Sequence, residues 1–355
     1  MRMPANRSAK AGRRGRRGVP VAEAQRRNLD RHRMHRKNLA ALCLVFFSSP
    51  VLAGQIEDAT FHSAALNAPL PVNIYRPDGT PPENGWPVLY LLHGHDGDQN
   101  SWRDLGNIEK TLDTLIAAGA IRPLVIVMPG VKNSWYVDSA AVGGPGDYET
   151  ALTGDLRHQV EKTLPVRKDR EGRAIAGLSM GGFGALHLAY GHEDLYGAVA
   201  SLSGAIWQNV PASDLDKTPA ELKLIQDSAF FHRVDRTTVT SGIVLPSTGD
   251  HFSGAFGTPF DASLFNEKNV FTLVAQHVAE SQDLPATYLT VGDDDGFFLW
   301  RGAIALHETL QADNRKSQLR ITDGDHVWSV WKVSIIDALK FIDGEWDKAT
   351  DVGKD

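Results

Sequence analysis

The chain has 355 residues, 42 % of them hydrophobic and 23 % charged, which predicts a folded protein with a buried core and excludes global disorder. No apolar run reaches the roughly 18 residues that a membrane-spanning helix needs, so we expect no membrane span. Residues 1–53 hold 13 of the 37 Lys and Arg but only 2 of the 43 Asp and Glu, which leaves 24 basic and 41 acidic residues, a formal charge of −17, for the remainder. So acidic a remainder is not expected to bind nucleic acid or anionic lipid.

The first 53 residues have the order of regions found in a secretory signal peptide. Arginine-rich sequence is followed by an apolar run at 39–47 and by the small-residue sequence Val-Leu-Ala at 51–53. A positive region, a short apolar region and an A-x-A-like site are typical of export signals. We therefore predict that residues 1–53 are a basic extension plus signal peptide, cleaved after Ala53, with Met34 as a candidate true start. The protein is then exported, either periplasmic or secreted; the alternative is a disordered basic tail on a cytosolic protein.

Residues 54–355 alternate short apolar segments with longer amphipathic ones, as expected for a mostly parallel sheet with helices on both faces. An opening hairpin is predicted at 61–66 and 70–75, and further strands at 87–92, 123–128, 173–176, 197–202, 286–291 and 318–322. Helical spacing of apolar residues occurs at 108–118, 148–164, 180–190, 301–312 and 327–342. We predict one α/β domain, with an irregular insertion around 205–284 folded over the C-terminal edge of the sheet, where ligands bind in such folds.

Ser179 is the candidate nucleophile. Residues 177–181 are Gly-Leu-Ser-Met-Gly, a G-x-S-x-G pattern that follows an apolar strand and opens a glycine-rich helix. A serine on a sharp strand-to-helix turn needs glycine on both sides to leave room for neighbouring main chain. The helix N-terminus behind it offers free N–H groups and a partial positive charge. The alternative is a glycine-rich turn that binds a phosphate or nothing.

A nucleophilic serine needs a base and an acid, each expected on a loop after a later strand. His326 follows the strand predicted at 318–322 and precedes a helix, so it is the candidate base. The strand at 286–291 is followed by three aspartates, of which Asp295 is the preferred acid and Asp294 the reserve, because one carboxylate must orient the imidazole. A calcium loop is the competing interpretation, but the run lacks the ligand spacing and the terminal Glu.

Two main-chain N–H groups are expected to stabilise the oxyanion of an acyl-transfer reaction. One belongs to Met180, the residue after the nucleophile, and the other to His95, in the glycine-containing loop after the third strand. The side chains of His93 and His95 are expected to shape that loop rather than to bind a metal. Among the aromatic residues near these loops, Trp135 and Trp328 are the candidate substrate-binding residues.

Taken together, these residues resemble the esterase D-like family of α/β hydrolases, in particular its tributyrin-esterase and feruloyl-esterase branches. The resemblance runs from about Phe61 to Ile342 and is carried by Leu-Leu-His93-Gly94 with Ser101-Trp102, Asn133-Ser-Trp-Tyr136, Ala176-Gly-Leu-Ser179-Met-Gly-Gly182, Ser201-Leu-Ser-Gly204, Gly292-x-x-Asp295 and Gly324-Asp-His326. It implies an α/β-hydrolase fold, a Ser179–His326–Asp295 triad and no cofactor or metal.

These observations predict an exported serine esterase that hydrolyses carboxylic esters with short-chain or aromatic acyl groups through an acyl-enzyme on Ser179. The expected partner is a small-molecule or saccharide-linked ester; the oligomeric state is left open. An acyltransferase to a sugar hydroxyl would use the same residues and differ only in the acceptor. A serine peptidase would need a means of holding peptide. A non-catalytic exported binding protein would be expected to lack a member of the triad, and none is missing from the sequence.

Overall fold

The structure is a computed structural model in which residues 54–217, 251–280 and 282–351 are described. The predicted basic extension and signal peptide at 1–53 lie outside these residues, and so does the part of the predicted insertion at 218–250. None of the helices in the described ranges is both long enough and apolar enough to span a membrane.

The described residues contain one sheet of eight strands. The strands are β1 Gln55–Ser63, β2 Ala68–Arg76, β3 Val88–Leu92, β4 Val125–Pro129, β5 Arg173–Leu178, β6 Ala198–Leu202, β7 Ala286–Gly292 and β8 Ser317–Thr322. Their order across the sheet is β1-β2-β4-β3-β5-β6-β7-β8. The β1–β2 hairpin and the β2–β4 pair are antiparallel, and all other pairs are parallel. The predicted mostly parallel sheet with an opening hairpin is therefore confirmed.

Helices connect the strands. They are α1 Ser101–Asp104, α2 Ile108–Ala117, α3 Tyr148–Thr150, α4 Arg157–Thr163, α5 Met180–Gly191, α6 Ala262–Lys268, α7 Val270–Glu280, α8 Trp300–Ala312 and α9 Trp328–Asp351. A π-helical turn, Ala151–Leu156, joins α3 to α4, and short 3₁₀ turns lie at Ala140–Val142, Arg170–Gly172 and Ala212–Asp214. The helix predicted at 148–164 is thus one helical segment with a wide turn at its centre.

The sheet separates two apolar cores because alternate side chains of a strand point to opposite faces. In β4, Val125 and Val127 face the core that contains α4, α5 and the described end of the insertion. Ile126 and Met128 face the other core, which α2 and α9 cover. Every residue of β3 to β7 is buried, as expected for strands covered on both faces. The parallel strands consequently end at one shared edge, and the loops that follow them meet there.

The structure differs from the predicted irregular insertion at residues 262–280, which form α6 and α7. The start of α6 is capped by Asp261, whose side chain accepts hydrogen bonds from the N–H groups of Ser263 and Leu264, a standard N-cap arrangement. Phe252 and Phe256, which precede the cap, pack on each other and on Phe265 of α6 with ring centroids 5.1–5.7 Å apart. The aromatic residues that look scattered in the sequence are therefore a small core of the insertion.

Candidate active site

Ser179 lies on the turn between β5 and α5 with φ +54° and ψ −118°, a strained conformation for a residue with a side chain. The turn is held by its main chain: the N–H of Ser179 donates to the carbonyl of Leu202, and its carbonyl accepts from Gly182 and Ala205. A Cβ atom on Gly177 would lie 2.2 Å from the Gly181 carbonyl oxygen. Glycine is needed there because the main chain on the two sides of the serine comes this close.

The side chains of Ser179, His326 and Asp295 form one hydrogen-bonded chain. His326 Nε2 lies 2.9 Å from Ser179 Oγ, and His326 Nδ1 lies 2.7 Å from Asp295 Oδ2. Since a carboxylate only accepts, the proton of the neutral imidazole sits on Nδ1, and Nε2 accepts the hydrogen bond of the serine hydroxyl. The arrangement can take a proton from Ser179 and hold the resulting imidazolium against a buried carboxylate.

Asp295 is 1 % exposed, whereas the reserve candidate Asp294 is exposed and contributes only a main-chain contact, from its N–H to the carbonyl of Gly324. Asp293 also holds this loop, since its Oδ1 atom accepts the N–H of Gly324. The structure therefore brings only the third aspartate of the run to the imidazole. The other two carboxylates face outward beside the exposed Asp323.

Asp325 joins the loops that carry the acid and the base. Its Oδ1 atom accepts the main-chain N–H groups of Gly296 at 3.0 Å and of His326 at 2.6 Å. One side chain thereby fixes the loop after β7 to the loop after β8. This role of Asp325 was not predicted, although its position directly before His326 offered a signal.

Aromatic rings hold the imidazole of His326 on two sides. Phe297 and Trp331 each present an edge-to-face contact, with ring centroids 4.9 Å from that of the imidazole. The Trp331 indole N–H in turn donates to the hydroxyl of Ser203, 3.1 Å away in a buried position after β6. These contacts restrict the rotation of the imidazole. The sequence indicated both aromatic residues as near the site loops but not their contact with His326.

The loop after β3, which carries His95, is anchored through His93. The ring Nε2 atom of His93 accepts the N–H of Val131 at 3.1 Å, so its Nδ1 atom carries the proton and donates to the carbonyl of Gly94. Burial lowers the pKa of His93 and favours this neutral form. The hydroxyl of Tyr136 donates to the His93 carbonyl at 2.7 Å. The loop is therefore fixed before any ligand binds.

His95 and Met180, the candidate oxyanion residues, line the same cavity as Ser179. Met180 is the first residue of α5, so its N–H precedes the intrahelical hydrogen-bond pattern. The His95 side chain contacts the main chain and a carboxylate: its ring nitrogens lie 3.1 Å from the carbonyl of His251 and 3.2 Å from Asp96 Oδ2. As expected, this side chain shapes the loop.

The cavity has a volume of about 800 Å³, and both Trp135 and Trp328 line it. Trp135 is 1 % exposed and donates its indole N–H to the carbonyl of His251. Trp328 packs edge-to-face on Trp102 and Trp331. His251 and Trp207 also reach the cavity, both from the insertion. The sequence indicated Trp207 only as one of several aromatic residues near the site loops, and it gave no signal for His251. Burial lowers the pKa of His251 to about 3, so this side chain is uncharged at neutral pH.

The strand order and the position of the nucleophile turn define an α/β-hydrolase fold. The chain belongs to the family described as "Putative esterase", whose family model matches residues 63–342. The predicted fold and the predicted family are both confirmed.

Several curated relatives match part of the chain. An endo-1,4-beta-xylanase/feruloyl esterase of Xylanibacter ruminicola is 31 % identical over 160 residues, which are 43 % of this chain and 22 % of that protein. An esterase of Mycobacterium tuberculosis is 33 % identical over 177 residues, which are 44 % of this chain and 36 % of that protein. This chain therefore spans well under half the length of both relatives. Among solved structures, a ferulic acid esterase superposes with a TM-score of 0.62 at 24 % identity, covering 83 % of this chain and 99 % of that one, which shows a shared fold.

Proposed function

We propose that the protein is a serine esterase that hydrolyses carboxylic esters through an acyl-enzyme on Ser179. The observation that carries the proposal is the hydrogen-bonded chain from Ser179 through His326 to Asp295, set in a cavity of about 800 Å³. Membership of the esterase family supports it. A nucleophile, a base and an orienting carboxylate in hydrogen-bond contact are the groups that acyl transfer requires.

In the first half of the reaction, Ser179 Oγ attacks the acyl carbon of the ester while its proton passes to His326 Nε2. The carbonyl oxygen of the ester becomes an oxyanion, which the main-chain N–H groups of His95 and Met180 stabilise. The carbon–oxygen bond to the alcohol then breaks, and His326 returns the proton to the departing alkoxide. The acyl group is left bound to Ser179.

In the second half, a water molecule takes the place of the alcohol. It attacks the acyl carbon as His326 accepts one of its protons, the oxyanion forms again at the same two N–H groups, and the bond to Ser179 Oγ breaks. The proton on His326 goes to Ser179, and the acid product leaves. Asp295 stabilises the imidazolium in both halves because its carboxylate is buried against Nδ1.

The residues that line the cavity favour substrates whose acyl group is short or aromatic. Trp135, Trp207 and Trp328 all line it, and aromatic side chains bind flat apolar groups by stacking and edge contacts. We also propose that the protein is exported, to the periplasm or the medium. The order of charged, apolar and small residues up to Ala53 supports this.

Labelling and turnover test the proposal together. Purified protein should react with a fluorophosphonate probe at Ser179 and hydrolyse nitrophenyl acyl esters or methyl ferulate. Ser179→Ala should lose labelling and lower kcat by on the order of 10⁵-fold with an unchanged Tm. Ser334→Ala is the matched control, since it removes a hydroxyl that donates to the Val330 carbonyl in α9; it should keep both activities.

Two results would overturn the esterase assignment. Absence of labelling and turnover in folded protein would favour a non-catalytic binding protein. Transfer of the acyl group to an added sugar in preference to water, measured by product analysis, would favour the acyltransferase. Fractionation of cells that produce the full chain tests export separately.

A further inference from the structure

Gly54, the residue directly after the predicted cleavage site, is buried against a carboxylate. Its N–H donates to Asp113 Oδ1 in α2 at 2.9 Å. The hydroxyl of Tyr75 in β2 donates to the same oxygen at 2.8 Å. A Cβ atom on Gly54 would lie 2.3 Å from Cζ of Tyr75. The site therefore accommodates a main-chain nitrogen and no side chain.

The surroundings of this nitrogen are negatively charged. Burial, the hydrogen bond to Asp113 and the charges of Asp113, Glu109 and Asp78 together raise the pKa of Tyr75 well above its usual range. Over the described ranges 54–217, 251–280 and 282–351, no Lys or Arg side chain forms an ion pair with Asp113. Removing a carboxylate from water costs free energy. Two hydrogen bonds from neutral donors, without a cation, offset only part of that cost.

We propose that the chain is cleaved between Ala53 and Gly54 and that the new α-ammonium group of Gly54 forms an ion pair with Asp113. The inference rests on the proposed export and is independent of the proposed esterase activity. A signal peptidase would add water across the peptide bond, so that Ala53 leaves with a carboxylate and Gly54 keeps its nitrogen as an amine. That amine takes up a proton at neutral pH, because α-amino groups ordinarily titrate near pH 8.

Cleavage then strengthens a contact that already has the right geometry. The nitrogen lies 2.9 Å from the carboxylate oxygen, which is a normal distance for a charge-assisted hydrogen bond. The mature chain gains an ion pair between the start of β1 and α2 that the uncleaved chain cannot form. Because the carboxylate raises the pKa of the α-amino group, this stabilisation is present at neutral pH and is lost above about pH 8 as the ammonium deprotonates.

The first measurement is the intact mass of protein recovered from the exported fraction of a bacterial host that produces the full chain. The expected mass is that of residues 54–355, with Gly54 as the N-terminal residue on sequencing. A different N-terminus, or an uncleaved chain, would overturn the inference. An uncleaved chain that still hydrolyses esters would leave the proposed esterase intact.

The second measurement separates the ion pair from cleavage alone. In the exported protein, Asp113→Asn removes the charge and keeps an acceptor oxygen, and it should lower Tm by about 3 °C at pH 7 and by much less at pH 9.5. Tyr75→Phe is the control, because it removes the neutral hydrogen bond to the same oxygen; its loss of Tm should be equal at both pH values. If Asp113→Asn lowers Tm equally at both pH values, or does not lower it, Gly54 and Asp113 form no ion pair, even where cleavage occurs after Ala53.

Discussion

The imidazole Nε2 atom of His326 lies 2.9 Å from the hydroxyl oxygen of Ser179, although 147 residues separate the two along the chain. The contact follows from the sheet: Ser179 comes directly after β5 and His326 follows β8, and both strands end at the same edge. The loop after β7 lies close to that of β8 and supplies Asp295 at 2.7 Å from the other ring nitrogen. The sheet order therefore brings three distant segments to one hydrogen-bonded chain.

Neutralising the three neighbouring aspartates should separate the orienting carboxylate from the other two. Asp295→Asn should lower kcat by about 10³–10⁴-fold, because an amide cannot stabilise the imidazolium and favours the wrong tautomer. Asp293→Asn and Asp294→Asn, whose side chains are exposed, should change kcat by less than about threefold. Steady-state kinetics on one nitrophenyl ester, with Tm for all three variants, checks this. Three equally mild effects would show that Asp295 is not the acid.

Removing the hydroxyl that anchors the loop after β3 should slow turnover. Tyr136→Phe leaves the buried carbonyl of His93 without this donor, which should cost about 1–2 kcal/mol of unfolding free energy. The loop that carries the N–H of His95 then loses rigidity, and this N–H stabilises the oxyanion less well. We therefore expect a decrease in kcat that is larger, as a factor, than any change in KM.

Tyr190→Phe is the matched control for that variant, because it also removes one buried hydrogen bond, to Thr287 at 2.9 Å, in a residue that does not line the cavity. Its stability loss should be similar and its kcat unchanged. If the two variants have the same kcat, the anchoring of the loop does not contribute to catalysis.

Trp135 and Trp328, the two tryptophans predicted to bind substrate, should differ in what they contribute. Trp328 is partly exposed, so Trp328→Ala should raise KM for aromatic acyl esters by about tenfold, or 1.4 kcal/mol, and leave acetyl esters little changed. Trp135 is 1 % exposed and packs on Phe252 and Phe183, so Trp135→Ala should cost about 3–5 kcal/mol of stability. Denaturant unfolding and KM for paired esters measure both effects. An equal rise of KM for both esters in Trp328→Ala would show that this side chain does not select aromatic groups.

Acidification should lower the stability of the fold because it protonates the carboxylate of Glu149, in α3. Burial pushes the pKa of Glu149 upward, but hydrogen bonds from His187 and His192 outweigh it and hold the pKa well below its usual range. A carboxyl whose pKa is depressed in the folded state stabilises the protein above its unfolded pKa, about 4.3, and loses that contribution as pH falls below it. Wild type should therefore unfold at higher temperature than Glu149→Gln at pH 6, with the difference shrinking towards pH 3.

The control for the acid dependence is Glu171→Gln, because Glu171 is 50 % exposed and its ion pair with Arg170 is long, at 3.7 Å. Its Tm should follow the wild-type curve at every pH. A difference between wild type and Glu149→Gln that stays constant from pH 6 to pH 3 would contradict the assignment of the acid dependence to Glu149.

Local patterns in the sequence predicted much of the fold and part of the candidate site. Continuous apolar runs indicated β3 and β4, because a strand that is buried on both faces has apolar residues at successive positions rather than alternating with polar ones. The glycine spacing indicated the turn at Ser179 because backbone contact leaves no alternative residue there. The helices α6 and α7 were not predicted. Phe252 and Phe256, before them, pack on each other and on Trp135, and such long-range contacts leave no local pattern in the sequence.

The sequence by itself determined the alternating α/β order, the family resemblance and the residues Ser179, His326 and Asp295 as candidates, because each depends on short-range periodicity or on a local turn. Only the tertiary structure decided that Asp295 and not Asp294 faces the imidazole, that Asp325 joins two loops, and that Phe297 and Trp331 hold the ring of His326. The same holds for the contact of Gly54 with Asp113, 59 residues away. These contacts join segments far apart in the chain, and their geometry is set by the packing of the sheet, which no local pattern encodes.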